Sequence, residues 1–304
     1  MNSPQVKIPV SRIYQTARQL AEDVNLSLPR DVLVALQRAY ENEKKAPYSS
    51  GRVPLEILKA IIENARISRR ERLPLCQDTG FVEAYLSIGS GVVVTRGEKD
   101  KGPYKAFLTA SQAVAAGIRD AYIGNRFRFS MVSDPLTRKN TSDNTPSFIY
   151  IEEIPGSKNI TLGIIAKGGG SENSSAIKFF TPSVKWADIE NFIIETVRRK
   201  APFACPPVIV SVALGGNFSA APLAAKKIFL SRKIGSANPD PVYNRRENIL
   251  LKKINSLGIG PMGLGGKTTA LDVFITPIPT HIAMLPCAIV IQCHSLRVGR
   301  AVIR

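Results

Sequence analysis

Apolar spacing changes character at residues 73–80, and this change limits the possible folds more than any other feature of the chain. Before it, apolar residues recur at helical intervals: Ile13, Ala17, Leu20, Ala21 and Val24, then Val32, Leu36, Ala39 and Tyr40. Leu55, Leu58, Ile61, Ile62 and Ala65 continue the pattern. Ser11, Pro29 and Pro54 stand where three such helices would open. After the change, Phe81–Ile88 and Gly91–Thr95 alternate and are rich in β-forming residues, which predicts strands. Between the two regimes lies LPLCQDTG, with Cys76, Gln77 and Asp78 consecutive and Gly80 free to bend the backbone. A soft metal ligand thus stands beside an acid/base group in a turn.

The rest of the chain mixes both periodicities. Tyr104–Tyr122 is an alanine-rich helix, and residues 125–147 are polar loop. Phe148–Ile154 and Ile160–Ile165 flank Pro155-Gly156-Ser157 and read as a strand pair. Helices are expected at Val184–Arg199, Ser219–Ser231 and Asn244–Leu257, and strands at Val208–Leu214, Val273–Thr276 and Ala288–Cys293. The expected class is α/β in a mixed α+β arrangement. A helical portion, 1–72, precedes intermingled strands and helices over 73–304.

A chain of 304 residues can bury roughly three quarters of its unfolded surface, enough for one large domain or two small ones. No run of about 18 apolar residues offers a membrane span, and the N-terminus lacks a signal-peptide core. Four cysteines without short-range pairing do not form a secreted disulfide framework, so the cytoplasm is expected. Lys and Arg number 41 against 24 Asp and Glu, a formal charge of +17. The basic residues are scattered along helices, which suits solvated faces, an acidic partner protein or anionic small substrates better than nucleic acid.

Several motifs fail on inspection. Gly258, Gly260 and Gly263 form GxGxxG, but a helix precedes them where the dinucleotide fingerprint needs a strand. Gly266-Lys267-Thr268 resembles the end of a P-loop, but Pro261 occupies the position of its first glycine. Gly168–Gly170 after a strand fits either an anion-binding nest or a tight turn. With two histidines, His281 and His294, and no GxSxG, a nucleophilic triad is poorly served. The cysteines lead further. Cys76 lies in the polar turn, Cys205 precedes two prolines, and Cys293 ends an apolar strand, whereas Cys287 sits within LPCAIV like a small hydrophobe. The first three either converge on one metal centre or remain structural thiols.

LPLCQDTG, RFSMVSDP with NTSDNTPS, KGGGSEN, ACPP, GPMGLGGKTTALDV and QCHSLR, in that order, resemble the iron–sulfur hydro-lyases. These are the class I fumarases and L-tartrate dehydratases, and the resemblance is to their alpha subunits, equivalent to the N-terminal domain of single-chain fumarases. It covers about residues 50–300 and makes the two portions together one catalytic alpha-subunit domain around an iron–sulfur site. It implies a [4Fe–4S] cluster held by Cys76, Cys205 and Cys293, with one iron open to substrate. Asp78 is implied as the acid/base residue, with Gln77, Arg128, Gly170 and His281 binding substrate. Asn144, Thr145 and the GGKTT segment are implied scaffolding. The family's remaining active-site groups lie in a C-terminal domain, so a separate beta subunit is expected, in an alpha2beta2 heterotetramer. Reversible hydration of fumarate is the expected reaction and tartrate dehydration the alternative. A remote reading is a non-catalytic nucleic-acid-binding protein, which would carry no iron.

Overall fold

The residue run that follows CQDTG becomes an inner strand of a sheet, and the order of elements shows how. The computed structural model describes residues 5–45, 52–96 and 109–304. From the N-terminus come β1 (Val6–Pro9), α1 (Val10–Leu26), α2 (Arg30–Lys44) and α3 (Val53–Glu71). Past the turn follow β2 (Phe81–Gly89), β3 (Val92–Thr95), α4 (Ala110–Gly124), β4 (Phe148–Ile154) and β5 (Ile160–Lys167). The remainder comprises α5 (Gly169–Asn173), β6 (Ala176–Phe180), α6 (Trp186–Lys200), β7 (Val208–Gly215) and α7 (Ala220–Lys227). It ends with α8 (Pro241–Asn255), β8 (Ala270–Ile278), β9 (Leu285–Gln292) and β10 (Arg297–Ile303). The mixed α+β class follows from these elements. No helix among the described residues is long and apolar enough to cross a membrane.

The chain divides into two compact units. The first takes residues 1–27, 68–168 and 297–304, the second 28–67 and 169–296. In the first unit a sheet of order β10-β5-β2-β4 carries α1 and α4, while β1 and β3 form a separate parallel pair. Ile13, Ala17 and Ala21 of α1, Val114 and Ile118 of α4, and Leu162 and Ile164 of β5 form one apolar core. Thr109 opens α4 with a capping box to Gln112. The expected start of this helix at Tyr104 lies outside the described residues. Helix α1 begins at Val10 without a side-chain cap, so Ser11 lies inside its first turn rather than before it.

The strands β4 and β5 do not pair with each other as their spacing suggests. β2 lies between them, parallel to β4 and antiparallel to β5. Burial explains the order. β5 is covered along nearly its whole length, whereas β4, carrying Glu152 and Glu153, is almost entirely exposed and suits an edge.

In the second unit the sheet runs β6-β9-β7-β8, with β7 parallel to β8 and antiparallel to β9. Every residue of β7 is buried, as a strand covered on both faces requires. Val208, Val210, Val212 and Leu214 join Ile193 and Val197 of α6 and Leu250 and Ile254 of α8 in one core. α7 contacts β7 and β9, and the adjoining Phe229 meets Phe274 of β8 edge-on.

The packing of α1 on α4 depends on Gly117, where a Cβ would stand 2.5 Å from the Tyr14 carbonyl oxygen. Gly117→Ala gains roughly 1 kcal/mol of helix propensity but forces two backbones apart, a strain of about 1–3 kcal/mol. Urea unfolding is expected to show a net loss of up to about 2 kcal/mol in the variant.

Candidate active site

Helix α3 stops at Arg72, whose φ of +54° turns the chain left-handed. Buried Ser68 then ties the new direction down, because its hydroxyl reaches the carbonyl oxygens of Leu26 (2.9 Å) and Leu73 (2.6 Å). The Leu75 amide donates to the Asn25 carbonyl at 2.8 Å, and the Leu75 side chain is buried. Held at this point, Cys76 is partly exposed, Gln77 is exposed and Asp78 is partly exposed. Thr79 and Gly80, which lead into β2, are buried. Gly80 has φ +76°, and a Cβ there would lie 2.3 Å from the Lys167 carbonyl oxygen, so no other residue fits this bend.

Asp78 is fixed from two sides. Its Oδ1 accepts from the Gly80 amide at 3.0 Å and from the Ser130 hydroxyl at 2.9 Å. Its backbone carbonyl accepts from Arg297 at 2.7 Å, and the same guanidinium nitrogen reaches Asn25 Oδ1 at 3.2 Å. Behind the turn, the Tyr122 hydroxyl donates to the Thr79 carbonyl at 2.7 Å. Burial pushes the Tyr122 pKa up to about 12, despite the nearby Arg297 charge, so it remains a protonated donor.

The loop carrying Arg128 is bonded to this turn. Thr79 Oγ1 donates to the Arg128 carbonyl at 2.7 Å, while the Arg128 side chain is exposed. Asn144, 2% exposed, joins both segments. Its Oδ1 accepts from the amides of Ser130 (2.7 Å) and Met131 (3.2 Å), and its Nδ2 donates to the Gly80 carbonyl at 3.0 Å. Asn144 has φ +61°, a conformation asparagine tolerates better than most residues. The first unit therefore brings Cys76, Gln77, Asp78 and Arg128 onto two mutually bonded loops.

The second unit carries the other sequence-derived candidates. Cys205 closes the 3₁₀ turn Ala201–Ala204 in a left-handed conformation, φ +50°, and is exposed. Its carbonyl lies 2.8 Å from His294 Nδ1. A carbonyl can only accept, so Nδ1 carries the proton and Nε2 is the acceptor nitrogen. Burial lowers the His294 pKa, favouring this neutral ring. Cys293 precedes His294, is partly exposed, and has its Sγ 3.6 Å from Gln292 Nε2. The His294–Cys205 bond joins the Cys205 and Cys293 segments locally. Cys287 differs: it is fully buried in β9, and desolvation pushes its thiol up to about 12. It behaves as the small hydrophobe its neighbours suggest.

Gly168–Gly170 forms neither a bare turn nor an isolated nest, because Gly169 and Gly170 open the short helix α5. Lys200 Nζ donates to the Ser175 carbonyl at 2.9 Å, and Ser174 Oγ reaches the Gly170 carbonyl at 2.8 Å. Lys226 pairs with Glu172 at 2.8 Å, so this exposed glycine segment is held from beneath. His281 is exposed in the β8–β9 connection, where its Nδ1 accepts from the Ala283 amide at 3.1 Å. Among the described residues no three His, Cys, Asp or Glu side chains form a group placed to hold a metal ion. Cys205 is exposed and Cys76 and Cys293 are partly exposed, which suits thiolate donors to an iron–sulfur group.

The part played by Asn144 was invisible as geometry in the sequence, although its place in NTSDNTPS marked it as scaffolding. Arg297 carried no signal beyond its position in QCHSLR. Asn144→Ala removes one buried and two part-buried bonds and adds strain at positive φ, a loss of roughly 3 kcal/mol in urea unfolding. Asn144→Gly relieves the strain alone and is expected to remain almost as destabilised, which separates the bonds from the backbone.

A family model described as fumarate hydratase (Fumerase) matches residues 14–302. A Methanocaldococcus jannaschii protein, provisionally named L(+)-tartrate dehydratase subunit alpha, is 39% identical over 291 residues, covering 94% of this chain and 95% of the relative. The L(+)-tartrate dehydratase subunit alpha of Escherichia coli is 26% identical over 290 residues, covering 95% of this chain and 90% of that protein. The match across nearly the whole chain makes it a member of the fumarate hydratase family, an enzyme chain of the hydro-lyase type.

Proposed function

We propose that the chain is the alpha subunit of an iron–sulfur hydro-lyase that adds water to, or removes it from, a C4 dicarboxylate. The observation that carries this reading is the fixed carboxylate of Asp78, bonded at Oδ1 by Gly80 and Ser130 and presented beside Cys76 and Gln77. Acid/base work requires a carboxylate held in one orientation next to the carbon whose proton moves.

In this reading Cys76, Cys205 and Cys293 hold a [4Fe–4S] group. When bound, such a group with three thiolate ligands supplies an iron that polarises the substrate hydroxyl as a Lewis acid. The remaining work belongs to the chain's own side chains. Asp78 moves the proton on the carbon next to a substrate carboxylate, in one direction for dehydration and in the other for hydration. Arg128, exposed and carried by a backbone bonded to Thr79, clamps a carboxylate through its guanidinium fork. Gln77 orients the substrate, Gly170 contributes its backbone N–H, and His281 borders the substrate. The alpha-subunit names of both relatives support a beta subunit; in this reading it completes the site in an alpha2beta2 assembly.

The family description favours fumarate and malate as the substrate pair. The relatives' names favour L(+)-tartrate, giving that substrate a specific claim as the second reading.

Anaerobic kinetics on the reconstituted alpha–beta complex with fumarate, malate and L(+)-tartrate tests the proposal. Asp78→Asn is expected to lower kcat about 10²–10⁴-fold on the true substrate while leaving iron and acid-labile sulfide unchanged. Cys205→Ser is expected to lose iron and activity together. Full activity of the alpha chain alone, or retained activity in Asp78→Asn, would contradict the reading.

A further inference from the structure

The second unit holds a cavity of about 1060 Å³ that the proposed reaction does not use. Its composition is one-sided. Arg30, Arg38, Lys45, Lys233 and Lys267 line it, against Asp31 as the only lining carboxylate. Lining positions 30, 34, 38, 42 and 45 of the α2 segment recur at helical spacing, so one face of α2 forms a wall.

All five cations are solvent-exposed, and none has an ion-pair partner among the described residues. The carboxylates nearby serve the backbone instead. Asp31 Oδ2 accepts from the Ile234 amide at 2.7 Å, which pins the segment bearing Lys233. Asp272 Oδ2 accepts from Gly235 at 2.6 Å. Buried Glu43 accepts from the amides of Lys267 (2.5 Å) and Thr268 (2.9 Å), which fixes the GGKTT segment. Negative groups thus hold the loops in place while five solvent-exposed cationic residues line the volume. Val34, Ala35, Leu251 and Leu271 supply an apolar wall.

We propose that this cavity binds a phosphate-chain-bearing small molecule of the nucleoside polyphosphate class. The five cations lining this cavity exceed what a dicarboxylate can neutralise, and the volume exceeds what a C4 acid can fill. The phosphate chain lies against the basic residues, and the organic portion against Val34, Ala35, Leu251 and Leu271. The GGKTT segment takes part through Lys267 in this cavity rather than through a P-loop.

Calorimetric titration of the full chain, alone and in the alpha–beta complex, with ATP and with inorganic tripolyphosphate tests the proposal. Both ligands are expected to bind, ATP more tightly, with affinity falling as salt rises. Arg38→Glu combined with Lys233→Glu is expected to weaken binding at least about tenfold. Arg198→Glu combined with Arg199→Glu, on the exposed end of α6, serves as the control for net charge and is expected to leave affinity nearly unchanged. Should the charge reversals unfold the chain by circular dichroism, the milder pair Arg38→Gln and Lys233→Gln is expected to fold and still bind several-fold more weakly. Absence of binding overturns the proposal, as does equal weakening by the control pair. Loss of binding when the beta subunit is added would make the cavity a subunit contact and would overturn it too. Equal affinity for ATP and tripolyphosphate would remove the nucleotide assignment.

Discussion

The guanidinium of Arg297, 1% exposed, is the constraint from which the first unit's site geometry follows. A buried cation costs several kcal/mol unless its donors are engaged. Here one nitrogen bonds both the Asp78 carbonyl and the Asn25 side chain, although Nε has no partner among the described residues, and the Asn25 carbonyl takes the Leu75 amide. Residues 25, 75, 78 and 297 are thereby locked together, although 272 positions separate the outermost pair. Tyr122 closes the arrangement from α4 through Thr79. The CQDTG segment has no regular secondary structure, so this polar network gives it a single shape. A loop with this backing presents a carboxylate with far less reorganisation than a surface turn would.

The second unit solves a similar problem with different chemistry. Cys205 sits on a left-handed residue between a 3₁₀ turn and two prolines, a backbone with little freedom. His294 bonds its carbonyl from the segment next to Cys293, so one imidazole spaces two thiol-bearing strand ends. Burial of the ring keeps it neutral. Cys287, two strand residues past the start of β9, stays a thiol for the same reason of desolvation.

Much of this organisation was legible in the sequence because it rests on local patterns. The three N-terminal helices followed from apolar spacing, and β7, β8 and β9 from apolar runs between turn residues. Cys287 was separated from the other cysteines by its apolar neighbours alone. What escaped was non-local. β10 has the alternating sequence RVGRAVI, with Arg300 exposed and Arg297 buried, and only its pairing with β5 makes it a strand. The order β5-β2-β4 was hidden because a short turn between two strands suggests a hairpin, while the decision lay with the burial of a third strand. Arg297 and Asn144 were silent as individual residues. Their roles depend on partners 219 and 64 positions away, distances over which composition and periodicity carry no information.

Mössbauer spectroscopy of the alpha–beta complex reconstituted with isotopically labelled iron tests the central claim most directly, because it reads ligation iron by iron. Three cysteine ligands on four irons predict that about one quarter of the signal, and only that fraction, shifts when substrate is added. Four equivalent irons indifferent to substrate, or a cluster that persists unchanged in Cys76→Ser, would contradict the account.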